Sequence, residues 1–90
     1  EVFAIAKKEV KKVISHYERN HCGHGIGLEA YDLPLIAPTV ETRLEPGMVL
    51  CIETPYYEIG WGGIQVEDPV LVTDKGAKIL TKGSRDLIQI

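Results

Sequence analysis

No stretch of this chain restricts its fold more than Gly23-His24-Gly25-Ile26-Gly27. Three glycines alternate with a histidine and an isoleucine, so the backbone can approach another segment closely and take conformations that a Cβ forbids, while one imidazole is held in the middle. A histidine between glycines also occurs in ordinary tight turns, so its meaning depends on the residues that could join it. Downstream, Cys51-Ile52-Glu53-Thr54-Pro55 and Gly63-Ile64-Gln65-Val66-Glu67-Asp68 each place a carboxylate at the end of an apolar, β-branched run. One imidazole and two carboxylates on neighbouring strands make a metal constellation of His24, Glu53 and Glu67.

Between these segments lies Leu44-Glu45-Pro46-Gly47-Met48-Val49, a turn followed by a strand. With its motifs in this order and spacing, the chain resembles the "pita-bread" metallohydrolases: methionine aminopeptidase, Xaa-Pro aminopeptidase, prolidase and creatinase. The resemblance runs from about Glu1 to the end. It implies an α+β fold, the C-terminal half of a pita-bread domain, with one long helix packed on a curved, mainly antiparallel sheet. It also implies two divalent metal ions, Mn, Co, Zn or Fe. His24 matches the family's histidine ligand, Glu53 its first glutamate ligand, which doubles as a catalytic proton shuttle, and Glu67 its bridging glutamate ligand. The family supplies two further aspartate ligands upstream of the helix, and no such pair precedes His24. Residues 1–90 are therefore read as the C-terminal portion of one catalytic domain whose upstream half is absent.

Such a centre needs no protein nucleophile. Two ions about 3.5–4 Å apart can share a hydroxide, bring its pKa toward neutrality and polarise a carbonyl. Two positions depart from the family pattern. Seven residues after the metal histidine, many members carry a second histidine that hydrogen-bonds the substrate; here it is Tyr31, a phenol that can donate a hydrogen bond but cannot act as an imidazolium near neutral pH. Tyr31 is thus the candidate catalytic and substrate-binding donor. Two residues before the last glutamate, where prolidase-like members often have arginine, stands Gln65.

The Leu28-Glu29 and Glu67-Asp68 flanks favour the prolidase and creatinase side, and the favoured activity is an Xaa-Pro-type aminopeptidase or dipeptidase. A creatinase-like hydrolase of a non-peptide C–N bond and a catalytically silent binding module remain as alternatives. The partner is a peptide or a small amide, and the expected assembly is a homo-oligomer.

Net charge of −3, with 44% hydrophobic and 26% charged residues, describes an ordinary single-domain chain with no basic patch for nucleic acid. Its apolar runs fall far short of a membrane span and no leader is recognisable, which sets the expectation at the cytoplasm. Cys22 and Cys51 are too few for a disulfide scaffold and lack C-x-x-C spacing, so both are read as small apolar fillers outside the site.

Apolar residues at 2, 3, 5, 6, 10, 13 and 14 follow a helical period, predicting an amphipathic helix over Val2 to Ile14 with Lys7, Lys8, Lys11 and Lys12 on its wet face. Residues 15–20 then lead into a short strand carrying the His24 loop, with His21 a satisfied or exposed histidine. Prolines at 34, 38 and 46 predict a loop over 33–46 that closes at a Glu45-Pro46-Gly47 turn. Met48 to Ile52 reads as a strand buried on both faces. A second strand is expected around Tyr56, Tyr57 and Ile59, a turn at Gly60 to Gly63, a long strand from Ile64 to Thr73, and a final hairpin through Asp74-Lys75-Gly76.

Overall fold

The computed structural model describes every residue from Glu1 to Ile90. One helix, α1 (Val2–Lys11), precedes seven strands: β1 (Gly23–Gly25), β2 (Asp32–Leu35), β3 (Val49–Glu53), β4 (Tyr56–Glu58), β5 (Gly62–Ile64), β6 (Glu67–Thr73) and β7 (Gly76–Ile79). Five of them form a sheet in the order β2-β1-β3-β6-β7, and β4 pairs with β5 in a separate ribbon. Every pairing is antiparallel.

Alternation along β3 sets the layers. Leu50 and Ile52 point to one face, and Leu50 stands opposite Val70 of β6. On that face Phe3 of α1 packs with Leu50, Cys22 and Ile36, joined by Ala6, Ile52, Val70 and Val72. Val49, Cys51 and Glu53 point to the other face, where the helix does not reach.

The helix is shorter than its periodicity predicts. It ends at Lys11 instead of Ile14, because Lys12 N–H reaches Glu9 O at 3.2 Å and Val13 N–H reaches Val10 O at 3.0 Å, the tighter spacing of a closing turn. Val13 is 88% exposed, so a further turn would bury nothing there, and β-branched Val13 and Ile14 followed by Ser15 are weak helix formers. The chain then folds back, and the Glu18 carboxylate meets the ammonium groups of Lys11, at 2.6 Å, and Lys7. These two lysines, Lys11 foremost, hold the Glu18 carboxyl down at about 2. Because that value lies below the ordinary carboxylate range, the tie is fully present above about pH 4.5 and is lost as pH falls through about 2. Helical circular dichroism of the parent should accordingly fall over this window, whereas a Glu18→Gln variant should lose that component of the titration, and added salt should weaken it in the parent.

Two strand boundaries also differ from expectation. Part of the predicted 33–46 loop is β2, which accepts Pro34 because it is the edge strand of the sheet, where a missing N–H breaks no ladder. The predicted long strand over Ile64 to Thr73 begins only at Glu67, as β6, and Ile64 instead ends β5, which takes up Gly62 and Gly63 of the turn expected at Gly60 to Gly63. The turn at Pro46 and Gly47 forms as expected, with Gly47 at φ 96° and Met48 N–H bonded to Glu45 O at 3.2 Å. No helix is long and apolar enough to cross a membrane.

Candidate metal centre

His24 sits in the middle of β1, clamped between β2 and β3, because both flanking glycines are needed for the close approach. A Cβ at Gly23 would run into the Cys51 carbonyl, and one at Gly25 into the Leu33 carbonyl. The register then collects the donors. His24 stands opposite Cys51, Cys51 and Glu53 are two residues apart on one strand, and Glu53 stands opposite Glu67. All four side chains therefore share the face away from the helix.

The His24 ring is 6% exposed, and its Nδ1 lies 2.7 Å from the Gly25 carbonyl oxygen. A carbonyl can only accept, so Nδ1 carries a proton, and in the neutral ring Nε2 is then the acceptor, the tautomer in which this imidazole can bind a metal. Ligand atoms of His24, Cys51 and Glu67 all lie within 4.8 Å of one another. Burial, and next the neighbouring Glu67 carboxylate, push the Cys51 thiol up to about 11.

Glu53 is 4% exposed, and both of its oxygens are engaged. His21 Nε2 is 3.0 Å from Oε1, and Gln65 Nε2 donates to Oε2 at 3.1 Å. The same Gln65 nitrogen donates to Glu67 Oε2 at 3.0 Å. One NH₂ group thus bridges two carboxylates, which places them well inside the roughly 8 Å that a shared metal pair can span. Tyr57 OH donates to Gln65 Oε1 at 3.0 Å, and this fixes the amide with its nitrogen toward the glutamates. Tyr31 is 63% exposed; its ring centroid lies 4.4 Å from that of His24 and, edge-on, 6.2 Å from that of His21.

The predicted set of His24, Glu53, Glu67 and Tyr31 is therefore brought to one place. Sequence reasoning left out His21, Cys51 and the bridging role of Gln65. Cys22 is the apolar filler expected of it, packed against Phe3 and Leu50 with its thiol pushed up to about 11 by burial first and the Glu53 charge second. Cys51 is buried as well, but outside that cluster, with its sulfur within 4.8 Å of ligand atoms of His24 and Glu67.

Nitrogen, sulfur and oxygen donors thus gather on one face of an antiparallel sheet, with the helix on the other. The chain belongs to metallopeptidase family M24, whose profile matches residues 1–74. It is 42% identical over 89 residues to the Xaa-Pro dipeptidase of Pyrococcus furiosus, an alignment covering 98% of this chain and 26% of that protein. The solved prolidase from P. furiosus superposes with a TM-score of 0.84 at 42% identity, over 94% of this chain and 26% of the other. Recombinant prolidase from Thermococcus sibiricus does so with a TM-score of 0.86 at 34% identity, over 99% of this chain and 24% of the other. The fold is that of part of a pita-bread enzyme, and the chain spans about a quarter of the length of these relatives.

Proposed function

We propose that residues 1–90 form the C-terminal part of the catalytic domain of a dinuclear metallopeptidase acting as an Xaa-Pro dipeptidase or aminopeptidase. The observation that carries this reading is the bare Nε2 of a buried His24 facing the same surface as Glu53 and Glu67, two carboxylates joined by one amide. Relatives named Xaa-Pro dipeptidase support the substrate class. His24, Glu53 and Glu67 would hold the ions together with ligands from the upstream half. Two divalent ions, of Mn, Co, Zn or Fe, fit imidazole and carboxylate donors, and when bound they would polarise the scissile carbonyl and activate water.

The chain's own residues do the rest. Glu53 accepts a proton at a carboxylate oxygen and passes it to the departing amine, while His21, bonded to Oε1, keeps the carboxylate from rotating. Gln65 sets the spacing of the two carboxylates. The Tyr31 hydroxyl, on a ring tilted against that of His24, donates to the oxyanion that develops on the substrate. Upstream sequence covers the exposed apolar side chains of the segment, such as Ile59 and Trp61, and the assembled protein is a homo-oligomer. The isolated segment should bind metal weakly, self-associate and hydrolyse nothing.

The test is the full-length protein on an Xaa-Pro dipeptide, with creatine as the competing substrate. Turnover of the dipeptide, lost to a chelator and restored by metal, is expected. Tyr31→Phe should lower kcat by about 10²–10³, the usual effect of removing one preorganised donor, with metal content unchanged. A kcat within about twofold of the parent would remove Tyr31 from the mechanism. Turnover of creatine alone would reassign the site to non-peptide C–N hydrolysis, and bound metal without any turnover would make it a silent platform.

A further inference from the structure

We propose that Cys51 is itself a metal ligand: His24, Cys51 and Glu67 hold one ion through nitrogen, sulfur and oxygen, and the sulfur tilts the centre toward thiophilic ions, Zn²⁺ and Co²⁺, over Mn²⁺. The inference rests on the proposed metal centre and adds to it a donor that the charged residues alone do not suggest.

Geometry carries it. In a tetrahedral site with metal–nitrogen bonds near 2.0–2.1 Å and metal–sulfur bonds near 2.3 Å, donors lie about 3.5 Å apart. The three ligand atoms here already lie within 4.8 Å of one another without an ion, so closure needs side-chain movements of about 1 Å, and Glu67 at the exposed start of β6 has room to make them. The second observation is His24 itself, 6% exposed, with Nδ1 committed to Gly25 and Nε2 without a hydrogen-bond partner. Cys51 is 5% exposed and stands directly across the ladder from it. The two cysteines make an internal contrast, since Cys22 packs among Phe3, Ile36 and Leu50 while Cys51 presents its sulfur to polar donors. Sulfur is a soft donor that manganese tolerates poorly and zinc and cobalt accept. As the sulfur–metal bond forms, the thiol proton leaves to solvent, because a coordinating thiol is deprotonated.

The experiment uses the full-length protein loaded with Co²⁺. A thiolate-to-cobalt charge-transfer band in the near ultraviolet is expected in the parent and should vanish in Cys51→Ser, with cobalt content and the visible ligand-field bands retained. Competition between Zn²⁺ and Mn²⁺ should show the zinc preference falling by about 10-fold or more in the variant. Cys51→Thr provides a second variant of nearly the same shape should the serine fail to fold. Cobalt bound by the parent without the band, or a band that survives both substitutions, overturns the role of Cys51 and leaves the metal centre standing. A parent that binds no cobalt overturns the metal centre itself, and Cys51 with it.

Discussion

Replacing His24 with alanine will weaken metal binding by the full-length protein by more than about 100-fold. Loss of a group that merely orients a ligand costs about 10–100-fold in affinity, and His24 is proposed as the ligand itself, with Nδ1 bonded to the Gly25 carbonyl and Nε2 left for the ion. The effect is readable in stability as well as in metal content. At a metal concentration 100 times the dissociation constant, binding stabilises the parent by about 2.7 kcal/mol. A variant whose dissociation constant is 100-fold weaker gains only about 0.4 kcal/mol from the same metal. Thermal melts with and without chelator should therefore differ clearly in the parent and barely in His24→Ala. A variant that keeps its chelator-sensitive shift would remove His24 from the ligand set.

Gly25→Ala should destabilise the full-length protein by about 3 kcal/mol, at the upper end of the range for overpacking. Most overpacked side chains are relieved by rotamer changes in their neighbours. Here the added methyl meets the backbone carbonyl of Leu33 and the carbonyl of Asp32, so β2 must separate from β1. For a domain of about 150–250 residues this corresponds to a drop in Tm of roughly 6–12 °C. Because β1 also carries His24, metal affinity should fall together with stability. Gly83→Ala is the control: nothing lies near its added Cβ, so a shift within about 0.5 kcal/mol is expected. Equal melting temperatures for Gly25→Ala and the parent would show that the two strands are not held by this close approach.

The glycines around His24 were legible because close backbone approach is a property of the residue itself. The Met48–Ile52 run was legible as β3 because burial on both faces leaves a continuous apolar stretch. Pro34 hid β2, since a proline argues against a strand unless its missing N–H falls where no ladder bond is needed, and nothing local says that β2 lies at an edge. The helical period ran on past Lys11 because Val13 and Ile14 have the right spacing, while the reversal that brings Glu18 back to Lys7 and Lys11 is a tertiary contact.

In the site, the same division separates the donors from their neighbours. Sequence by itself determined that an imidazole and two carboxylates would end up on strands, since each ends or sits within a stretch whose own periodicity or glycine content sets its local form. Only the tertiary structure decided what stands beside them. Cys51 became a neighbour of His24, and Glu53 a neighbour of Glu67, through the register of β3 against β1 and β6. A one-residue slip in either pairing would turn those side chains to opposite faces. Gln65 reached both carboxylates because the chain leaves strand geometry between β5 and β6, and His21 reached Glu53 from 32 positions away. Periodicity reports how a segment meets its own axis; which partner it meets across the sheet depends on the packing of segments distant in the chain, and no residue's type carries that information.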